Sequence, residues 1–444
     1  MLDLLKRLYL LKGVYIGFGV IICLFVISFF VPVLYDLVWI LLWLFLIAIL
    51  SDIMALFLGN NKIVAERTLP ERLSNGDENP IKIAVQNKYT FSIDCQIIDE
   101  IPFQFQKRDF TIKQRIKSNE KQNFQYALIP KKRGVYQFGK LNIFVNSPLK
   151  LVAKRYTFSD KQNLACYPSF IQMQKYDLIA FSKNKFAFGL KKIRKIGQTT
   201  EFEQIKEYVI GDDIRTINWK ATAKRNELMV NQFLDENTEN VYCILDKGRT
   251  MQMPFNGMTL LDYAINSTLA LSNVIIKKND RIGMMTFSNK VENKILAENK
   301  KSHLTKIIEQ LYSIETNFKE SDFGLIYNQI KYNITHRSLI ILYTNFESLS
   351  NLNRQLKYLR AIAKSHLLLV VFFENTELTK LANKKALNTD HIFDKVIAEK
   401  FNFEKRLIVN ELTKYGIMSV LTKPDELSIN TINKYLEIKA KGKL

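Results

Sequence analysis

The chain has 444 residues, too many for one core, and carries 64 Lys and Arg against 43 Asp and Glu, a formal net charge of +21. That length predicts two or three domains. The basic residues are spread along the chain, with no compact Arg-rich block and no aromatics interleaved with glycines, so a nucleic-acid partner is not expected and attraction to anionic lipid accounts for the charge. Cys23, Cys95, Cys166 and Cys243 are far apart, as are His303, His336, His366 and His391. This spacing argues against a disulfide framework and a zinc site and fits a reducing compartment.

Residues 1–62 read as a membrane anchor. Gly13 to Val33 holds no charge, Leu37 to Leu50 is wholly apolar, and apolar character resumes from Ile53 to Leu58. Each stretch can cross a hydrocarbon core, which takes roughly 20 residues. Only Leu34, Tyr35 and Asp36 lie between them, so the two helices are predicted to be antiparallel neighbours. Lys6, Arg7 and Lys12 precede the first span, and Lys62 and Arg67 follow the second. The positive-inside rule then places both termini and the soluble domains on the cytoplasmic side of the cell (inner) membrane. A cleaved signal peptide fits less well, since its apolar region runs ~7–15 residues and ends on a small-residue cleavage site. Asp52 falls near the end of the second span, where it is expected to reach the headgroups.

Residues 63–170 read as a β-sandwich. Ile81 to Val85 alternates, and Ile97–Ile101, Phe110–Ile116, Phe124–Ile129 and Leu141–Val145 are further strand candidates. Turn residues separate them at Asn75-Gly76-Asp77, Arg133-Gly134 and Asn146-Ser147-Pro148. Lys131 to Tyr136 is predicted to be a hairpin. Adjacent strand residues point to opposite faces, so Asp99-Glu100 reads as a solvated edge ahead of Pro102 rather than a paired acid site.

Residues 171–235 read as a linker and a central hub. Ile171 to Lys195 is basic, through Lys175, Lys183, Lys185, Lys191, Lys192, Arg194 and Lys195, and is either a helix beside the membrane or a solvated linker. Gly211 supports a tight turn, after which Asp212 or Asp213 is expected to cap a helix from Ile214 to Lys224. That helix would gather Ile214, Ile217 and Ala221 on one face, with Trp219 near it. Leu228–Phe233 follows as a strand. Asp212, Asp213, Arg215 and Lys220 together would form a buried or interfacial charge network.

The segment EYVIGDDIRTINWKATAKRNELMVNQF resembles the signature of the family called domain of unknown function 58. It has Tyr208, then Gly211-Asp212-Asp213, Arg215, the pair Trp219-Lys220, and a strand leading onward. The paired spans, Arg133-Gly134, Ser147-Pro148-Leu149 and Tyr167-Pro168-Ser169 fit the same family. Asn218 stands where the family commonly has Asp. The resemblance implies a membrane-anchored protein with a von Willebrand factor A-like domain, acting with a MoxR-type AAA ATPase and other von Willebrand A proteins in chaperone-like or envelope-related assembly.

Residues 236–444 read as an α/β doubly wound domain. Strands at 241–245, 281–287, 338–343, 366–373 and 417–421 alternate with helices at 260–277, 302–312, 323–333, 352–364, 393–415 and 426–439, and 291–296 extends the second strand as a hairpin. The pattern predicts a mainly parallel sheet with helices on both faces. A ligand would lie beyond the carboxyl ends of the strands. The loops Asp246 to Thr250, Glu320 to Asp322 and Thr344 to Glu347 are expected to converge there. By resemblance, Asp246, Thr250 and Ser321 (or Asp322, less well Thr316) match a metal-ion-dependent adhesion site. Gly248 replaces a serine hydroxyl, Asn345 replaces an acidic ligand, and Lys247 and Arg249 add positive charge. A hard cation wants oxygens and negative charge, so the site reads as degenerate, with Asp246 pairing instead with Lys247, Arg249 or a hub cation.

These features predict a non-catalytic scaffold or adaptor without a cofactor, a divalent cation being the one candidate. No P-loop, Gly-x-Ser-x-Gly or His-Glu-x-x-His motif is present. The alternatives are a metal-dependent hydrolase using Asp212, Asp213 and Asp246, and a basic nucleic-acid-binding protein.

Overall fold

The computed structural model describes residues 6–58, 62–158, 161–181, 201–209, 212, 214–234, 238–316, 318–385 and 388–442. It begins with a short strand, β1 (Leu8–Leu10), inside what the sequence suggests is only a charged flank. Two helices follow, α1 (Lys12–Phe30) and α2 (Tyr35–Phe57), both long and apolar enough to cross a membrane. Aromatic rings hold them together, Phe18 edge-on to Phe45 and Phe25 edge-on to Trp39.

Beyond Phe57, from Ile63 on, the period of the sequence drops to two and sheets replace helices. The strands are β2 (Ile63–Thr68), β3 (Leu73–Ser74), β4 (Asn79–Asn87), β5 (Ile93–Asp99), β6 (Thr111–Ile116), β7 (Lys121–Leu128), β8 (Gly134–Phe138), β9 (Leu141–Asn146), β10 (Val152–Phe158) and β11 (Gln162–Tyr167). They form antiparallel sheets ordered β1-β10-β9-β5-β6, β2-β4-β7 and β3-β11-β8. Ile83 and Val85 of one sheet meet Ile97, Ile143 and Val145 of another in one core. Alternation along β5 turns Ile93, Cys95, Ile97 and Asp99 inward together. Asp99 is therefore buried rather than solvated. Its carboxylate is paired with Arg67 at 2.6 Å and also accepts the Tyr126 hydroxyl. Arg67 is thus spent on this buried pair and does not act as a headgroup-facing flank.

Asp52 also departs from its expected role. It is buried, and its carboxylate accepts the Ser147 hydroxyl and the backbone N–H groups of Leu149 and Leu151, each at 3.2 Å. The last turn of α2 enters the β core: Leu56 is fully buried, and its carbonyl accepts the Tyr89 hydroxyl at 2.8 Å and Lys154 Nζ at 3.1 Å. Strand β1 meanwhile pairs with β10. The start of α1 and the end of α2 are therefore both fastened at the strand that carries Val152 to Lys154.

The chain divides into two compact units, Met1–Cys166 and Tyr167–Leu444. The second opens with α3 (Phe170–Phe181), whose Met173 and Tyr176 pack on the α/β core. Residues 170–181 are thus a packed helix rather than a solvated linker, while 182–195 lie outside the described residues. Next come β12 (Glu201–Glu207), α4 (Trp219–Arg225) and β13 (Met229–Leu234), with β12 and β13 pairing antiparallel.

The main sheet follows. Its elements are β14 (Asn240–Asp246), the small hairpin β15 (Pro254–Phe255) and β16 (Met258–Thr259), α5 (Leu260–Lys277), β17 (Arg281–Phe287), β18 (Val291–Glu298), α6 (Lys301–Tyr312), α7 (Phe323–Asn333), β19 (Leu339–Tyr343), α8 (Leu349–Ser365), β20 (Leu367–Phe373), α9 (Thr376–Asn383), α10 (Thr389–Lys414), β21 (Met418–Thr422) and α11 (Leu427–Ala440). The six-stranded order is β18-β17-β14-β19-β20-β21, parallel except for the edge strand β18. One face packs on α5, α6 and α11, the other on α7, α8 and α10. Helix α5 starts where Thr259 and Asp262 bond each other's backbone N–H groups in a capping box.

Candidate functional site at the carboxyl edge of the sheet

Asp246 is the last residue of β14 and leaves the sheet between its two parallel neighbours, β17 and β19. The three loops expected to converge do so. Asp246, Arg249, Thr250, Glu320, Ser321 and Thr344 are among the residues lining a cleft of about 130 Å³. The Asp246 side chain is buried at 1 % exposure. Its Oδ1 accepts the Gly248 N–H at 2.8 Å and the Ser321 hydroxyl, and its Oδ2 accepts the Thr344 hydroxyl at 2.7 Å. Burial raises its pKa, and the donors from Ser321, Gly248 and Thr344 oppose that rise.

The loss of a side chain at position 248 is what allows this closure. A Cβ on Gly248 would run into the Ser321 hydroxyl and lie 3.1 Å from Asp246 Oδ1. Ser321 fills the space a side chain there would take. Of the expected cation partners, Lys247 pairs with Glu292, and the Asp246 carboxylate is held by neutral donors. Asn345 accepts Lys405 Nζ at 2.8 Å, and the same ammonium bonds the Phe346 carbonyl. Burial drags the Lys405 ammonium down to about 8, with Glu347 pulling the other way. Thr344 and Lys405 were not singled out from the sequence. Thr344 had the signal of directly following a buried strand. Lys405 had the spacing of Ala398, Ile408 and Leu412, which mark the buried face of α10.

Other predicted ligands have different work. The Asp322 carboxylate caps α7 by accepting the Gly324 N–H at 2.8 Å, and Thr316 donates to Gln252 at 2.9 Å. Among the described residues no group of three or more His, Cys, Asp or Glu side chains is placed to hold a metal. The donors around Asp246 fit a hard cation poorly: three of the four carboxylate lone pairs are already taken, and the nearby acidic position is an asparagine tied to a lysine.

The hub differs from its predicted form. The Asp212 carboxylate faces backward, accepting Lys206 Nζ at 2.9 Å and the Val209 N–H at 3.0 Å, and these donors, Lys206 first, hold it below the usual carboxylate range. It does not cap the helix. The α-helix starts only at Trp219, after Ile217 has formed a β-bridge to Val230, and Asn218 is its cap, accepting the Ala221 N–H at 3.0 Å. Asn218 Nδ2 also donates to Asn231 at 2.8 Å. An aspartate at 218 would lack that donor, so the departure from the family pattern has a local use. Of the residues expected to form a buried or interfacial charge network, Asp212 is half-buried, and Arg215 and Lys220 are exposed. Tyr208 is half-buried, its N–H bonded to the Leu228 carbonyl at 2.8 Å. Gly211 and Asp213 lie outside the described residues. Trp219, predicted near an apolar face, is 69 % exposed.

This segment and the sheet edge are the part of the chain that comparison identifies: the family described as "Protein of unknown function DUF58" matches residues 204–383. The chain carries a DUF58 region. The uncharacterized protein YeaD of Bacillus subtilis (strain 168) is similar at 22 % identity over 218 residues, which is 47 % of this chain and 54 % of YeaD. The chain thus spans about half the length of that curated relative. Among solved structures, the conserved hypothetical protein BatB from Bacteroides thetaiotaomicron aligns at 15 % identity with a TM-score of 0.30, covering 46 % of this chain and 99 % of BatB. The CARDB domain of PF1109 from Pyrococcus furiosus aligns at 10 % identity and a TM-score of 0.18, covering 24 % of this chain and 94 % of the domain. In the DUF58 region, the signature residues form a two-stranded sheet with a capped helix, and the β14 edge supplies the buried Asp246.

Proposed function

We propose that the protein is a membrane-anchored, non-catalytic scaffold whose DUF58 region docks a partner, with its soluble domains in the cytoplasm. The carrying observation is the exposure of Val209, Ile214 and Trp219 in the segment the family matches. Large apolar side chains on the outside, beside Arg215, Lys220, Lys224 and Arg225, suit a contact surface for a partner with an acidic rim. On this reading the α/β part is von Willebrand A-like, supported by its parallel sheet and an aspartate at the end of β14. Asp246 acts as the knot tying three loops rather than as an ion ligand. The partner is a MoxR-type AAA ATPase, a choice that rests on family resemblance.

The test is a pull-down of the full chain from native membranes, with and without nucleotide. Recovery of an AAA ATPase that Trp219→Asp reduces at least fivefold supports the reading. Recovery of no ATPase in either condition removes that partner. Calorimetry with Mg²⁺ and Mn²⁺ tests the knot: no micromolar heat is expected, and micromolar binding abolished by Asp246→Ala would restore an ion site.

A further inference from the structure

Helix α10 is apolar on two sides. Ala398, Ile408 and Leu412 face the core, while Ile392, Phe393, Val396, Ile397 and Phe403 are exposed. A soluble helix ordinarily turns charge toward water on the side opposite its core. One row of this helix, at a spacing of four residues, is Phe393, Ile397, Phe401 and Lys405. Exposure falls along it, from 64 % to 50 %, 41 % and 9 %. The row thus descends from the surface into a cavity of about 410 Å³, which Phe401 and Lys405 line together with Met253, Phe255, Leu378 and Phe373.

The charged lining of that cavity is mainly acidic, beside three asparagines. Glu347, Glu374 and Glu377 stand against the single ammonium of Lys405, which is already bonded to Asn345 and Phe346. Glu374 and Glu377 make no ion pair among the described residues. In a chain of net charge +21, an apolar trough edged by three carboxylates is a local reversal of sign. Those carboxylates would repel anionic lipid headgroups, and they complement an apolar surface flanked by Lys or Arg.

We propose that the α10 row and the cavity at its foot form a docking groove for an amphipathic helix of a partner protein, apolar on one face and basic at its flank. Its apolar residues lie along Phe393 and Ile397, one of them enters the cavity beside Phe401, and its basic side chains meet Glu374 and Glu377. Asn345 and Glu347 line both this cavity and the Asp246 cleft, so an occupant would touch the loop that ties the proposed knot. The groove is separate from the Trp219 surface, and its test does not depend on the ATPase.

The experiment uses the full chain in nanodiscs of zwitterionic lipid and a fluorescein-labelled peptide with leucines at helical spacing and flanking lysines. Anisotropy is read against empty nanodiscs, with the same peptide carrying glutamates as the comparison. The lysine peptide is expected to bind at least tenfold more tightly than the glutamate peptide. The double variant Glu374→Lys/Glu377→Lys and the single variant Ile397→Asp should each weaken it at least tenfold with unchanged melting temperature. Equal binding of the two peptides, or binding indifferent to both variants, overturns the proposal. So does a concentration-dependent doubling of particle mass that Ile397→Asp removes, which would give the row to a second copy. Quenching of a probe at Val396→Cys by brominated lipid would give it to the bilayer and also overturn it.

Discussion

At Gly248 a missing side chain decides how a carboxylate is used. Asp246 is buried without an ion pair among the described residues, and the hydroxyls of Ser321 and Thr344 stabilise it because the backbone at 248 leaves room for Ser321. Gly248→Ala is therefore expected to destabilise the α/β unit by about 1–3 kcal/mol, the usual range for a side chain forced into filled space. The loss should appear as a lower melting temperature of the full chain, and adding Ser321→Gly should not recover it, because that change also removes a donor from the buried Asp246 carboxylate and leaves the Lys319 carbonyl 3.0 Å from the new Cβ. Lys405 gives a residue-scale prediction in pH. Its folded pKa, about 8, lies below its ordinary 10.5. Below about pH 8 both folded and unfolded chains hold the proton, and the burial of charge is fully felt. Between about 8 and 10.5 the unfolded chain binds more protons, so this group makes stability rise with pH, by roughly 3 kcal/mol in total. In Lys405→Met that part of the rise should vanish from melting curves recorded between pH 7 and 10. An unchanged slope would mean that the ammonium is not buried.

Helix α2 shows how an element's end sets its role. Its apolar run satisfies the length needed to cross a membrane, but its last turn is organised by polar contacts with the β domain. Asp52 holds the turn between β9 and β10, and the Leu56 carbonyl, which no helix bond can reach, is satisfied by Tyr89 and Lys154. The helix and the β-strands of this unit are thereby coupled rather than joined by a loose tether. Asp52→Ala leaves the Ser147 hydroxyl and two N–H groups without their acceptor. It should lower stability by about 1–3 kcal/mol and increase protease cleavage between Asn146 and Val152 in detergent. If cleavage there is unchanged, Asp52 does not fasten the turn. Helix α4 makes the same point in the hub. Its start is fixed at Asn218, beside the bridge of Ile217 to the sequence-distant Val230, and not at Asp212, which the sequence suggests as a cap.

For the whole molecule, the orientation can be tested directly. Cysteines placed in the Leu34–Asp36 turn should react with a membrane-impermeant reagent added outside intact cells, and cysteines at exposed positions such as Phe318 should react only after lysis. The opposite pattern would reverse the proposed sidedness. The sequence by itself determined what periodicity and punctuation can carry. Two long apolar runs, alternating short strands, and buried runs such as Leu339–Tyr343 separated by amphipathic helices each encode one element through its own neighbours in the chain. Helix α5, strand β17 and helix α7 begin and end at the residues the pattern indicates. The meeting of the Asp246 and Thr344 loops also followed, because parallel strands bring their carboxyl ends to one edge, and the loop ahead of α7 closes over them. Only the tertiary structure decided which partner each polar group takes. Arg67 finds Asp99, Asp52 finds the 147–151 turn, Ser321 occupies the space left by Gly248, and Lys405 meets Asn345. Such pairings join residues far apart in sequence, and a buried charge must find whichever donor the packing delivers to it, so no local pattern specifies them.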